Sequence, residues 1–172
     1  TEDIEKAGAL RDDYRGAALV ATHFALEPSP ALDDPIRARV RRLADELEIP
    51  VALPVHESTR EVAASLARHG ARPLDRLLRL GFASPLLVAV HGTCLSPEDI
   101  DALAACGAAV VHCPESNLKL GSGVCPAAAL LGCGVRVALG TDGAASNNDL
   151  DLLSEMRTAA LLAAGVSARP GA

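Results

Sequence analysis

The chain has 172 residues, a formal net charge of −6, 49% hydrophobic residues and 22% charged residues, a balance that excludes an intrinsically disordered chain. Only 2% of the residues are aromatic and the basic residues are scattered, so we expect no nucleic-acid partner, because stacking platforms and a basic surface are both missing. No apolar stretch approaches the roughly 20 residues of a membrane span, so we also expect no membrane partner.

Five short apolar runs predict buried strands. The runs are continuous rather than alternating, which is typical of parallel strands that are covered on both faces. Their spacing of about 20 to 35 residues leaves room for a helical crossover between neighbours. Repeated βα units of this kind favour a barrel or a doubly wound sheet. The runs are residues 18–25, 51–55, 86–90, 108–111 and 135–139.

Helix signals lie between and after these runs. Asp34 followed by Pro35 predicts the start of a helix whose arginines, between positions 37 and 42, form a solvated face. Further helices are predicted to begin at Ser58 or Thr59, after Pro73, and at the pair Ser96-Pro97. A last helix, capped by Asn148, is predicted to bury a stripe formed by Leu152, Leu153, Met156 and Ala160.

The cysteines and the first residues bear on the cellular compartment. Five cysteines, an odd number without a CxxC pair, predict buried free thiols rather than disulfides or a structural zinc site. The acidic, polar start does not fit a signal peptide. We therefore expect a cytoplasmic protein.

Titratable residues follow the apolar runs at their carboxyl ends. The loops that leave the strands of a β/α barrel converge on the active-site face. A lone histidine at a strand end is usually structural, and this remains our interpretation of His112. Several titratable groups at one end of the strands, however, predict a functional site. They are Glu27, His56, Glu57, His91, His112 and Asp142.

Two motifs carry most of the specificity. HCPESNLKL begins at His112, and GTDGAASNNDLD begins at Gly140, about 20 residues after the first motif ends. Together they resemble the amidohydrolase superfamily, in the group of 5-methylthioadenosine/S-adenosylhomocysteine deaminases and chlorohydrolase-like enzymes. The resemblance implies an α/β fold, a (β/α)8 TIM-like barrel of the metal-dependent hydrolase type. Residues 1–172 would supply about five βα units of it, with no second domain.

The resemblance also implies roles for individual residues. Asp142 matches an aspartate that binds the metal and takes a proton from the attacking water. His91 matches a histidine near the metal that polarises the substrate or the tetrahedral intermediate, and Glu57 matches a glutamate that carries protons to the ring nitrogen and the leaving ammonia. Ser116 and Asn117 match a pocket-lining loop, where a substrate contact and a structural role both stay open.

The implied reaction is the hydrolytic deamination of an adenosine-type nucleoside or a related aminated heterocycle. A metal-bound hydroxide would attack the ring carbon that carries the amino group. The resemblance implies one divalent metal, Zn²⁺ first and Fe²⁺ or Mn²⁺ as alternatives. The expected partners are a small-molecule substrate and further copies of the chain in a homo-oligomer.

The sequence departs from the family pattern at three places. It contains no HxH pair, and we expect the strand that carries this pair to precede Thr1. Pro54 stands where a metal-binding histidine is expected, so His56 is the candidate for a shifted ligand on the same strand. Glu27 stands where the family has a substrate-contacting histidine. These departures support an alternative hypothesis, in which the chain is a catalytically degenerate homologue or fragment that acts as a structural or assembly module.

Overall fold

The computed structural model describes residues 2–26 and 34–167. Its centre is a five-stranded sheet in which all neighbouring strands are parallel. Each strand lies beside the one that follows it in the chain. This is the order of a β/α barrel wall, whereas the order reverses in a doubly wound sheet. The strands are β1 (Phe24–Ala25), β2 (Val51–Val55), β3 (Leu87–His91), β4 (Ala109–His112) and β5 (Arg136–Leu139).

At least one helix connects each pair of neighbouring strands. Three predicted helix starts are confirmed: Ser58 accepts a hydrogen bond from the Glu61 N–H, a helix begins at Pro73, and Ser96 forms a capping box with Asp99. Within the described ranges, no helix is long and apolar enough to cross a membrane. The helices are α1 (Glu2–Asp13), α2 (Asp34–Leu47), α3 (Thr59–His69), α4 (Pro73–Arg79), α5 (Pro97–Cys106), α6 (Pro114–Leu120), α7 (Ala127–Gly132) and α8 (Leu152–Ser167).

One face of the sheet is covered by helices. Val51, Leu53 and Val55 of β2 are at most 3% exposed and belong to the hydrophobic core. Pro54 is half-buried and pairs in register with Val90 of β3. Because successive side chains of a strand point to opposite faces, Pro54 and Val90 lie on the second face. In a β/α barrel the helices cover the outer face, and the second face lines the interior.

The first strand is much shorter than predicted. We predicted a strand over residues 18–25, but only its last two residues form β1. These two residues pair in register with the first two residues of β2. Residues 18–23 therefore have no strand beside them in that register, and Leu19 is 98% exposed.

The prediction for the last helix was wrong in its cap and in its buried face. Asp151 Oδ1 accepts a hydrogen bond from the Leu153 N–H at 2.9 Å, so Asn148 does not cap α8. Leu153 is 71% exposed and Met156 56% exposed, whereas Glu155 is completely buried. The side of α8 that packs against the rest of the described structure therefore carries the hydrogen-bonded Glu155 carboxylate, and the predicted apolar stripe lies on the exposed side.

The prediction for α2 is confirmed as a helix but was wrong about one arginine. Arg37 is 9% exposed and lies on the same helix face as Val40 and Ala44, three and seven residues further along. Burial lowers the pKa of the Arg37 guanidinium, and the nearby charge of Arg76 lowers it further. The solvated face therefore does not include Arg37.

The five cysteines are free, as predicted. Cys113 and Cys125 are buried, and burial raises the pKa of each thiol to about 12. These two thiols are therefore protonated at neutral pH. The prediction was wrong for Cys133, which is exposed.

Candidate active site

Three candidate residues mark the points where β2, β3 and β5 give way to loops. His56 follows β2 directly, His91 is the last residue of β3, and Asp142 lies just beyond β5. All three have positive φ, at 55°, 75° and 61° respectively. This left-handed conformation is uncommon for residues other than glycine, although histidine and aspartate adopt it more readily than most. It costs of order 1–3 kcal/mol per residue, so the surrounding structure must hold the chain there.

Asp142 is held by two hydroxyl groups. Its Oδ2 accepts hydrogen bonds from Ser116 Oγ at 2.7 Å and from Ser146 Oγ at 2.6 Å. Burial alone raises the pKa of Asp142, but hydrogen bonds from Ser146, Ser116 and the Gly143 backbone, together with nearby His91, outweigh burial and lower it. The carboxylate is therefore ionised at neutral pH and fixed in orientation.

The first glycine of the GTDG motif has a packing role. A Cβ atom on Gly140 would lie 2.7 Å from Val111 Cγ1 and 3.3 Å from Cys113 Sγ. The end of β5 thus approaches β4 too closely for a larger residue. This close approach places Asp142 beside the segment that leaves β4.

His91 forms a buried pair with Asn117. The ring Nδ1 lies 2.9 Å from Asn117 Oδ1, and the two side chains are 3% and 0% exposed. Because an amide oxygen only accepts hydrogen bonds, Nδ1 carries the proton and donates it. When the ring is neutral, its lone pair is therefore on Nε2.

Ser116 and Asn117 do not lie in a loop, as we had predicted, but in α6. Only Cys113 separates α6 from β4. Ser116 is also 0% exposed. Two consecutive residues of this short helix therefore contact two candidate residues, His91 and Asp142, that come from strands on either side of β4.

His56 belongs to a buried polar network outside this pair. Its Nε2 accepts a hydrogen bond from the Leu74 N–H at 3.1 Å, and its Nδ1 lies 3.1 Å from the Cys94 carbonyl oxygen. Arg72 Nη2 donates to the same carbonyl oxygen and to Asp99 Oδ2, both at 2.7 Å. Both ring nitrogens are thus engaged by the protein, which does not favour His56 as a shifted metal ligand.

Glu57 lies in the connection between β2 and α3 and is half-buried. Its N–H donates to Glu61 Oε2 at 2.6 Å, and its carbonyl oxygen accepts from Thr93 Oγ1 at 2.7 Å. Glu57 and Pro54 both line a cavity of about 590 Å³ that is bordered by residues of α2, α3 and α4. No hydrogen bond among the described residues joins the Glu57 carboxylate to the other candidate groups.

The described residues do not by themselves fit a resident metal ion. They contain no group of three or more histidine, cysteine, aspartate or glutamate side chains that could hold one. Asp142 offers a single carboxylate, and Pro54 has no side-chain donor atom at the position where the family pattern has a histidine. Glu27, our candidate for the substrate loop, lies outside the described residues.

Sequence reasoning missed two residues that support the site. Ser146 is part of the second motif, but its hydrogen bond to Asp142 was not foreseen. Between the two residues the chain forms a turn, in which the Ser146 N–H donates to the Gly143 carbonyl oxygen. This turn brings Ser146, four residues after Asp142, back to the Asp142 carboxylate. Thr93, which holds the backbone of Glu57, gave no signal in the sequence.

Parallel βα units in sequential order define part of an α/β barrel, and the candidate residues lie on its loop face, at the carboxyl ends of the strands. The sequence profile of the amidohydrolase family matches residues 3–171. The chain belongs to this family.

The chain is similar to enzymes named 5-methylthioadenosine/S-adenosylhomocysteine deaminase. It is 49% identical over 160 residues to the enzyme of Teredinibacter turnerae, covering 93% of this chain and 36% of that protein. It is 45% identical over 170 residues to the enzyme of Saccharophagus degradans, covering 98% of this chain and 38% of that protein. The chain therefore spans less than two-fifths of the length of these relatives.

Two solved structures extend the comparison. An adenosine deaminase from Xanthomonas campestris with bound zinc is 51% identical and has a TM-score of 0.93, with 96% of this chain and 38% of that chain covered. An atrazine chlorohydrolase from Arthrobacter aurescens complexed with zinc is 24% identical, with a TM-score of 0.89, and covers 96% of this chain and 37% of that one. The second comparison supports the fold alone. The five parallel strands match part of an amidohydrolase barrel, which confirms the predicted fold class.

Proposed function

We propose that this chain is part of a hydrolytic deaminase that acts on adenosine-type thioether nucleosides. The observation that carries the proposal is the pairing of Asp142 with Ser116 and of His91 with Asn117 at one end of the sheet. This arrangement occurs in a chain 45–49% identical to enzymes named as deaminases of 5-methylthioadenosine and S-adenosylhomocysteine.

Each proposed role suits the chemistry of its side chain. Asp142 is an ionised carboxylate and accepts a proton from the attacking water. Glu57 moves protons to the ring nitrogen and to the leaving ammonia, a transfer that a carboxyl group on a connecting segment can make. His91 polarises the tetrahedral intermediate: with its Nδ1–H donated to Asn117, its Nε2 accepts a hydrogen bond from the hydroxyl group that has been added to the ring carbon.

A divalent metal belongs to this proposal, with zinc as the first candidate and iron or manganese as alternatives. Two similar proteins were solved with zinc. Within the described residues only Asp142 would be a ligand. The proposal therefore assigns proton transfers to this chain and derives no step at the metal.

Ammonia release tests the proposal. The purified protein, with the whole of its natural polypeptide, is incubated with 5′-methylthioadenosine, S-adenosylhomocysteine and adenosine, and its metal content is measured in parallel. We expect ammonia from the thioether nucleosides and about one metal ion per protein, as in other mononuclear hydrolytic sites. Absence of both ammonia and stoichiometric metal would overturn it.

The alternative function is a degenerate homologue that acts as a structural or assembly module. Its supporting observations are Pro54 at a ligand position and the exposure of large apolar residues on α8, among them Leu153, Leu161 and Val166 at 64–71%. Exposed apolar surface of this kind favours association with another chain. Size-exclusion chromatography tests the module, and a well-behaved monomer without metal would contradict both functions.

A further inference from the structure

The topology gives the segment after β4 access to the groups that end two other strands. β4 lies between β3 and β5 in the sheet. α6 begins two residues after β4 ends, so its first turn lies between the end of β3, where His91 sits, and the segment after β5 that carries Asp142. Among the described strands, β4 is the one that lies between β3 and β5, and α6 is the helix that follows it directly.

The contacts follow this topology. Ser116 donates to Asp142 at 2.7 Å, and its neighbour Asn117 accepts from His91 at 2.9 Å. Consecutive residues of an α-helix point about 100° apart, which allows them to reach opposite sides. Both side chains are 0% exposed, so neither has surface to offer a substrate.

The pair with Asn117 also decides which nitrogen of His91 carries the proton. With Nδ1–H donated to Asn117 Oδ1, the tautomer of a neutral ring is the one whose lone pair is on Nε2, on the opposite side of the ring. Free histidine in water favours the opposite tautomer, with the proton on Nε2. Asn117 therefore provides a specific bias that burial of the ring alone does not supply.

We propose that α6 is a positioning element, in which Asn117 fixes the ring and the tautomer of His91 while Ser116 fixes the Asp142 carboxylate. The effect of these two contacts on catalysis rests on the proposed function, whereas the tautomer of His91 rests on the contact with Asn117 alone. These two contacts within the protein replace the substrate contacts that the resemblance left open for Ser116 and Asn117. Both residues act through their neighbours and touch no reacting atom.

The test measures the His91 tautomer by nuclear magnetic resonance in the chain labelled with ¹⁵N-histidine. Long-range correlation of ring nitrogens with ring protons distinguishes Nδ1–H from Nε2–H. Asn117→Leu and the smaller Asn117→Ala both remove the acceptor, Asn117→Asp retains one, and exposed Asn148→Leu is the matched control.

We expect a protonated Nδ1 in the unaltered chain, in Asn117→Asp and in Asn148→Leu, and a shift towards Nε2–H in the variants without an acceptor. Nε2–H in the unaltered chain would overturn the proposal even if every variant failed to fold. An unchanged Nδ1–H in a folded Asn117→Leu or Asn117→Ala variant would overturn it as well.

Kinetics in the active protein give a second readout. Asn117→Leu is expected to lower kcat on the order of 10²-fold, the effect of a small misplacement of a catalytic group, with KM changed little. Asn117→Asp should recover part of the loss. A rise in KM at constant kcat would instead assign a substrate contact and overturn the positioning role. If no deamination is detected at all, the proposed function fails while the tautomer result stands.

Discussion

Asn147 Nδ2 donates a hydrogen bond to Glu155 Oε1 at 2.6 Å, and both side chains are buried. The other carboxylate oxygen, Oε2, accepts from the Glu115 N–H at 3.1 Å. On its far side, Asn147 Oδ1 accepts from the Asp149 and Leu150 N–H groups. The buried Asn147 amide therefore ties the second motif to α8, and the buried Glu155 carboxylate extends this link to the start of α6.

Asn147→Ala should lower the free energy of unfolding by about 1–3 kcal/mol, because it leaves the buried Glu155 carboxylate without one of its donors. Urea unfolding measures the change. Asn148→Ala is the matched control, since this exposed neighbour accepts its hydrogen bond from exposed Lys119, and a change within about 0.5 kcal/mol is expected. Equal effects of the two substitutions would contradict the anchoring role.

Acid is expected to destabilise the fold through the His56 network. Burial lowers the pKa of His56 below 6.5, although nearby Asp99 works against this. A group with a lowered folded-state pKa stabilises fully above its unfolded pKa, and this contribution is lost as the pH falls towards the folded pKa. The free energy of unfolding should thus decrease as the pH falls below about 6.5.

The Asp99 carboxylate extends this loss to lower pH. Burial raises its pKa, but hydrogen bonds from Arg72 and the Ser96 backbone outweigh burial and lower it below 3.8. Because the pKa of Asp99 is also lowered in the folded state, its contribution to the free energy of unfolding is lost as the pH falls below about 3.8. Urea unfolding from pH 8 to 4 isolates the histidine: His56→Gln should flatten the slope below pH 6.5, whereas His69→Gln, at an exposed position, should retain it. A slope that persists in His56→Gln would refute the assignment.

Strand positions were predictable from the sequence because continuous apolar runs report burial on both faces. Four of the five runs matched to within one residue at each end. The first did not, since the extent of β1 depends on where β2 begins, and no local pattern contains that register. α6 was not predicted as a helix because seven residues are too few to establish a helical period.

The candidate site was predictable as a location but not as a set of contacts. Position after a strand indicated His91 and Asp142, and the motifs indicated the family. The pairing of His91 with Asn117 spans 26 residues of sequence and depends on the order of β3, β4 and β5. His56 follows a strand in the same way, yet the protein around it engages both of its ring nitrogens, a difference that residue type and spacing do not encode.

Gly140→Ala should destabilise the fold by about 1–3 kcal/mol, since overpacking against a stiff β-branched neighbour forces the backbone to shift. The added methyl group would lie 2.7 Å from Val111 Cγ1. Gly165→Ala is the control, because it lies inside α8, where an added methyl group would meet no side chain within 4 Å, and should stabilise by roughly 0.5–1 kcal/mol. Removing the clash with Val111→Ala should make Gly140→Ala less costly in the double variant, and strict additivity would refute the steric explanation.

Glu57→Gln should lower kcat by about 10²–10⁴-fold in the active protein, the usual contribution of a general acid–base group. Glutamine keeps the size of the side chain, so the backbone contacts of Glu57 with Glu61 and Thr93 should persist. Steady-state kinetics with 5′-methylthioadenosine measures the effect. Exposed Glu46→Gln is the control. Loss of activity in both variants, or in neither, would remove Glu57 from the proposed role.

Pro54→His tests whether the second departure from the family pattern limits metal binding. The substitution is compatible with the sheet. The backbone groups of alternate β2 residues face β1, as the Leu26 N–H to Ala52 carbonyl bond illustrates, so the missing N–H of Pro54 also faces β1. β1 ends at Ala25, before the position that would pair with residue 54. Pro54 therefore removes no hydrogen bond between β1 and β2, and a histidine at this position would add none.

A gain in metal affinity from Pro54→His would therefore report on ligation. Loss of a group that only hydrogen-bonds to a metal ligand changes metal affinity roughly 10–100-fold. Because Pro54→His would add a ligand itself, the gain in affinity should be at least as large. Titration of the purified protein with Zn²⁺ against a competing chelator measures it, and Pro50→His, an exposed position just before β2, controls for binding to a surface histidine. Equal gains in the two variants would mean that position 54 does not lie at a metal site, and would favour the structural module over the deaminase.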